Sequence, residues 1–410
     1  MSSFEENTLP KGWVLETLGK VVELENGDRG KNYPSKSTLV LEGVPFINTG
    51  HLEGKKINKS KITFITEEHF ERLGSGKIKI NDILYCLRGS LGKFALNESI
   101  TKGAIASSLV IIRVKEELLN CNYLSFYLDS NLASYMIKEF DNGSAQPNLS
   151  SKNLKLFLIP LPPLEEQKRL VSKIDTLFAK IDKAISITEE SLKQAKNLLP
   201  SVLKEVFEKG KVDGWEDKKL EEVCDVIGGG TPKTKISEYW DGEIVWLSPV
   251  DLPPIGEISI VSDSRKKISE IGLKKSSAKL LPKGSVVYST RASIGKIAIA
   301  EIPLSTNQGF TNFICGEGLN NRYLCFCFKH FNKTIENLSN STTFKEVSKS
   351  AMKGFKIPVP SIDNQEKVVK IANDILLKSK QSQSKFEEQL TYLKNLKSSI
   401  LSKAFAGELL

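Results

Sequence analysis

The stretch Ile159-Pro160-Leu161-Pro162-Pro163-Leu164-Glu165-Glu166-Gln167 returns as Ile357-Pro358-Val359-Pro360-Ser361-Ile362-Asp363-Asn364-Gln365, at an offset of 198. Each copy reads as a proline-rich exit strand that runs directly into a long helix. The register then holds along that helix. Leu170 falls on Val368, Ile174 on Ala372, Leu177 on Ile375, Leu203 on Leu401 and Phe207 on Phe405. Self-similarity at a fixed period governs the reading of everything else in a chain. This chain is two copies of one design.

The segments ahead of the helices also correspond, with small shifts that imply insertions. Gly12 and Trp13 match Gly214 and Trp215, while Tyr85, Arg88, Gly92, Lys93 and Ala95 match Tyr288, Arg291, Gly295, Lys296 and Ala298 at an offset of 203. Outside these islands the copies diverge, so two units with one frame carry different surfaces. In the first unit, strands are expected at Val44 to Asn48, Asp82 to Leu87, Lys93 to Leu96 and Ser108 to Val114. A helix is expected at Cys121 to Phe140 and an exit strand at Leu154 to Ile159. The second unit repeats this order with strands at Ile244 to Leu247, Ser285 to Ser289, Lys296 to Ala300 and Thr311 to Cys315. A helix near Arg322 to Asn337 and an exit strand at Gly354 to Ile357 follow.

From Leu164 the positions Leu170, Ile174, Leu177, Ile181, Ala184, Thr188, Leu192, Ala195, Leu199, Val202 and Val206 alternate steps of mostly three and four, a heptad seam suited to a coiled coil. With residues 165–208 helical, the rise of about 1.5 Å per residue gives a rod on the order of 65 Å. The distal helix keeps the seam at Val368, Ala372, Ile375, Phe386, Leu393 and Ile400, but turns polar at Ser379 and Ser382. Pro200 removes a backbone donor and is expected to kink the central helix, whereas Ser398 at the matching position is not. Irregularity is expected at these two places. Two matched amphipathic helices bury their seams most simply against one another. The expected fold is therefore α+β, with two globular domains separated by a long antiparallel two-helix coiled coil in a pseudo-twofold dumbbell. The expected divisions are residues 1–158, 159–212, 213–356 and 357–410.

Forty per cent hydrophobic residues suffice for packed cores, and a net charge of +9 with a pI near 9.0 suits a polyanionic partner, though a solvated surface has the same composition. The charge is concentrated. Arg29, Lys31, Lys36, Lys55, Lys56, Lys59 and Lys61 form one basic stretch, and Arg265, Lys266, Lys267, Lys274, Lys275, Lys279 and Lys283 form another, one in each unit. Cys86, Cys121, Cys224, Cys315, Cys325 and Cys327 lack Cys-x-x-Cys spacing and sit mostly in apolar runs, so buried free thiols fit better than disulfides or a metal site. The polar start of the chain has no signal core, and no run approaches the ~18 apolar residues of a membrane helix. A cytoplasmic protein is expected.

Catalytic motifs are missing. Gly92-Lys93 and Gly295-Lys296 have Leu87 and Thr290 where a phosphate loop needs its first glycine. His51, His69 and His330 are too scattered for a zinc pair or a nucleophilic triad. Asp251-Leu252-Pro253-Pro254 superficially resembles an amino-methyltransferase motif, but its spacing is wrong and its aromatic is absent. No catalytic residue, cofactor or metal is assigned. The turn Arg88-Gly89-Ser90-Leu91-Gly92-Lys93 and its echo Arg291-Ala292-Ser293-Ile294-Gly295-Lys296 can offer guanidinium, hydroxyl and backbone donors to phosphate or a groove, or can be a solvated glycine turn. Both readings stay open. Gly228-Gly229-Gly230-Thr231-Pro232-Lys233-Thr234-Lys235 is a basic loop or a surface turn. For Trp13, Trp215, Tyr85 and Tyr288, core packing is the better reading than base stacking.

These residues together resemble the DNA-specificity subunit of type I restriction-modification systems over essentially the whole chain. The resemblance rests on the two exit motifs, on the Gly228 to Pro232 run followed by Tyr239-Trp240 and Trp246-Leu247-Ser248-Pro249, on the arginine turns and on the duplicated layout. The second exit motif departs at Ser361-Ile362-Asp363-Asn364, and Pro200 is unexpected. The resemblance implies that each unit is a target-recognition domain for one half of a bipartite, asymmetric double-stranded DNA site. The helices would set the spacing and dock two methyltransferase subunits, with motor-nuclease subunits joining for restriction. Expected DNA contacts are Lys31, Lys55, Lys56, Arg88, Ser90, Lys93, Thr231, Lys233, Lys235, Lys267, Arg291, Ser293 and Lys296, with Arg88 and Arg291 in the groove. A two-headed protein adaptor is the alternative.

Overall fold

The computed structural model describes residues 9–30, 32–141, 147–339 and 345–409. The chain divides into two compact units, one of Met1–Thr188 with Glu388–Leu410 and the other of Glu189–Glu387. Each long helix is therefore shared, its two halves belonging to different units.

In the first unit the central sheet has the order Val22–Asn26, Leu109–Val114, Ile83–Cys86, Phe94–Leu96, all antiparallel. A second sheet places Val44–Ile47 between Thr63–Ile65 and Ala104–Ile105. The exit strand Leu158–Leu161 pairs with Val14–Thr17 in a ladder of only two strands. Such an edge tolerates Pro160, which has no N–H to donate. The second unit repeats this plan in the order Cys224–Gly228, Phe310–Cys315, Val286–Ser289, Ile297–Ala300, and adds Ile258–Val261 in parallel at the edge. Its exit strand Lys356–Pro358 pairs with Asp217–Lys219. Val22 opposes Val114 in one sheet, and Cys224 opposes Cys315 at the same place in the other. There the neighbouring Cys315 thiol, together with burial, pushes the Cys224 thiol up. All six cysteines are free, with Cys121 and Cys315 half-buried and the others buried.

The helices run Leu164–Val212 and Ile362–Phe405 without interruption, through Pro200 and through Ser379. In the first unit Leu170, Ile174, Phe178 and Ile181 share a core with Leu393, Ile400, Leu401, Ala404 and Phe405. In the second, Leu199, Leu203 and Phe207 share one with Val368 and Ala372. The pairing is antiparallel: in the second unit Ser379 reaches Ala195, while Val206 and Gly210 meet Val368 and Ile371 further along. The buried stripe departs from the expected seam at Phe178, buried where Leu177 is half-buried, and again after Leu199, passing to Leu203 and Phe207 with Val202 and Val206 half-buried beside it.

The polar stretch of the distal helix, where the least regularity is expected, is tied in. Ser379 is buried, its hydroxyl donates to Ala195 O at 2.6 Å, and Gln383 donates to that hydroxyl at 2.9 Å. A satisfied buried hydroxyl is compatible with regular packing. The single helix expected over 121–140 is two, Cys121–Leu128 and Asn131–Phe140, because Ser130 turns its hydroxyl onto Tyr127 O at 2.6 Å and caps the second helix at Ala133 N. The second unit has one helix there, Asn321–Glu336.

The conserved feature of the duplicated motif is a glutamine latch. Gln167 donates to Leu118 O and Pro162 O, both at 2.9 Å, and accepts from Asn120 N at 2.9 Å. Gln365 repeats all three bonds with Gly318 O, Pro360 O and Asn320 N, at 2.9, 2.9 and 2.8 Å. Tyr123 and Tyr323 close the same junction by donating to Pro160 O at 2.7 Å and Pro358 O at 2.9 Å. Each latch joins the exit strand, the start of a long helix and the cap of the domain helix. Both glutamines are fully buried with their polar capacity used.

Candidate nucleic-acid interface

The arginine turns occupy the same place in the two units. Each links two strands of the central sheet, Ile83–Cys86 to Phe94–Leu96 in one unit and Val286–Ser289 to Ile297–Ala300 in the other. Gly89 and Gly92 adopt φ of 77° and 78°, while the second copy has Ala292 at 61° and Gly295 at 108°. Gly295 is favoured for a second reason, since a Cβ there would lie 2.2 Å from Asn332 Oδ1 and displace that side chain. Ala292 holds a left-handed conformation that costs an L-residue roughly 1–2 kcal/mol, whereas glycine adopts it freely. Replacing Ala292 with Gly, the residue of the first copy, is expected to stabilise the second unit by about 0.5–1 kcal/mol after the loss of glycine's extra chain entropy. Thermal denaturation of A292G against the parent chain measures it.

The turn lysines point inward. Lys93 Nζ donates to Thr49 O at 2.9 Å, and Lys296 Nζ donates to Pro249 O at 2.6 Å and Leu252 O at 3.1 Å. They tie the turn to a neighbouring loop. Arg88 and Ser90 are exposed, as is Arg291, while Ser293 is half-buried. Arg291 Nε lies 3.2 Å from Glu346 Oε2. Tyr85 and Tyr288, beneath the turns, are fully buried, and burial pushes both hydroxyls well above the ordinary tyrosine range. Tyr288 donates to Asn332 Oδ1 at 2.7 Å. With Trp13 buried and Trp215 packed on the second core, these rings are core residues.

The remaining expected contacts are dispersed. Lys31 lies outside the described residues. Lys55, in a left-handed position at φ 67°, pairs with Asp129 and sits 5.9 Å from the rings of Phe126 and Phe178, so its charge is compensated. Lys56 is exposed on a two-residue strand opposite Glu53. In the second unit Lys233 and Lys235 are exposed, Thr231 donates to Gln308, and Lys267 is 3.3 Å from Asp263. The structure thus gathers Arg88, Ser90 and Lys93 on one turn and Arg291, Ser293 and Lys296 on the other.

The glycine run at 228–230 is anchored by close approach. A Cβ on Gly229 would lie 1.8 Å from Asn307 O and one on Gly230 2.3 Å from Ala278 N, while Trp246 Nε1 donates to Gly230 O at 2.9 Å. Trp246 packs edge-on against Trp240 at 5.1 Å, whose ring has Lys266 Nζ 5.5 Å from its centroid. Lys266 belongs to the basic stretch, but its place on an indole is not visible in chain order. Asp251 is also structural. Burial pushes its carboxyl up, but Ser248 and Arg265 outweigh this and hold it below the usual range, with bonds of 2.6 Å from Ser248 Oγ and 3.0 Å from Arg265 Nε.

The chain is similar to known proteins. The MjaIX type I restriction enzyme specificity subunit of Methanocaldococcus jannaschii is 37% identical over 180 residues, covering 43% of this chain and 41% of that protein. The MjaVIII specificity subunit of the same organism is 25% identical over 408 residues, covering 92% of this chain and 89% of its own length. A chain of a solved type I R-M system matches the fold with a TM-score of 0.80 at 22% identity, covering 99% of this chain and all of the other. The family model for the type I restriction modification DNA specificity domain matches twice, at residues 10–194 and 212–402, so the chain belongs to that family.

Proposed function

We propose that the protein is the non-catalytic DNA-specificity subunit of a type I restriction-modification complex. Each unit reads one half of a bipartite, asymmetric site in double-stranded DNA. The helical segments set the gap between half-sites and dock two methyltransferase subunits, and motor-nuclease subunits join for restriction. The observation that carries this reading is the double match to a DNA specificity domain, on two units that keep one turn scaffold and present different exposed residues around it.

Backbone anchoring is assigned first to exposed lysines, because each phosphate neutralised releases counterions. Single alanine substitutions at Lys56, Lys233 or Lys235 are expected to weaken binding on all sequences and to lower the salt slope by roughly one unit each. Lys93→Ala and Lys296→Ala change thermal stability more than the salt slope, since their ammonium groups serve backbone carbonyls. DNA retardation across a salt series, with and without methyltransferase subunits, is the measurement. Absence of DNA binding in both conditions would sink the reading.

A further inference from the structure

Both turns are clamped by the same backbone bonds, yet the residue facing the arginine differs. Gly89 N donates to Pro147 O at 3.0 Å and Leu149 N to Leu87 O at 2.9 Å, which sets Arg88 opposite Asn148. Ala292 N donates to Lys345 O at 3.2 Å and Val347 N to Thr290 O at 2.9 Å, which sets Arg291 opposite Glu346. Leu149 and Val347 anchor these clamps in the interior. Directly opposed residues of such a bridge project to the same face, and Arg88, Asn148, Arg291 and Glu346 are all exposed. The lysines of both turns are committed elsewhere. The arginine and its partner are therefore the polar pair that each clamp presents.

We propose that Asn148 and Glu346 are specificity-determining residues, one in each unit; this rests on the DNA-recognition reading above. Glu346 acts through Arg291. Its carboxylate holds Nε, leaving the two terminal nitrogens as a fork that fits guanine O6 and N7. Asn148 is neutral, leaves Arg88 its full charge, and carries an amide whose donor and acceptor match adenine N7 and N6. One scaffold thus offers different chemistry to the two half-sites.

The test maps the methylated sequence in cells expressing the full chain with methyltransferase subunits. Glu346→Ala is expected to relax preference about tenfold or more at one base pair. That base pair lies in one half-site and is the one relaxed by Arg291→Ala. Asn148→Ala relaxes a base pair in the other half-site. Glu346→Gln, which still accepts from Nε, keeps the parent preference, a result that loss of fold would not give; Asn148→Gln, which keeps the amide, and thermal melts guard the first unit likewise. The proposal is overturned if the parent writes a bipartite mark that Glu346→Ala and Asn148→Ala leave unchanged, or if both relax the same half-site. A parent complex that neither marks nor binds DNA overturns the recognition reading itself, and this proposal with it.

Discussion

Gln167→Ala is expected to destabilise the first unit by on the order of 3–5 kcal/mol, because it strands three backbone groups at about 1–3 kcal/mol each, less what entering water recovers. These are Leu118 O, Pro162 O and Asn120 N. Gln365→Ala strands Gly318 O, Pro360 O and Asn320 N and should cost the second unit a similar amount. Glutamate at either position is no remedy. It replaces a donor to two carbonyls by a buried anionic oxygen. Denaturant unfolding gives the loss, and hydrogen exchange locates it at the Cys121 helix in one variant and the Asn321 helix in the other. A loss below about 1 kcal/mol would mean that the latch is not the junction its geometry implies.

Phe405→Ala is expected to cost on the order of 3–5 kcal/mol, the usual range for deleting a buried phenyl ring. Phe405 is fully buried, with its ring 5.2 Å from that of Tyr123 and 5.8 Å from that of Tyr127. It is contributed by the far end of the chain yet belongs to the first unit. The loss of exchange protection should therefore appear in the Cys121–Leu128 helix. Phe207→Ala should act on the second unit, where Phe207 lies 5.6 Å from Phe331 and 4.7 Å from His330. Leucine at either position should recover much of the loss by refilling the cavity. Protection unchanged in both domain helices would contradict the assignment of each helix end to its unit.

Much of this was legible in chain order. The strands around Tyr85 and Tyr288, the turns at Arg88 and Arg291 and both long helices appear where alternation, glycine punctuation and heptad spacing place them. These are local signals, carried by residues a few positions apart. Less legible is where one side chain overrides a local pattern. Ser130 breaks an apolar helix by capping a new one, and Ser379 enters a seam by finding Ala195 O. Neither hydroxyl announces its partner in the sequence.

The candidate interface was less legible. Lys93 and Lys296 share a motif with Arg88 and Arg291, and composition treats all four as cations available to an anion. The fold separates them, turning the lysines onto carbonyls more than forty positions away while the arginines stay exposed. Asn148 and Glu346 have no motif at all, and only the clamp brings them opposite an arginine.

The sequence by itself determined that this protein is a duplicated pair of α+β units with heptad helices, because repeats and periodicities are written between near neighbours and survive divergence of the surface. The tertiary structure decided the rest: which cations remain free, what the glutamine of the exit motif is for, and that each unit is completed by half of each helix. The physical reason is the same in each case. A buried polar group must find its partner wherever the fold supplies one, and a hydrophobic seam is buried against the apolar surface the fold brings to it.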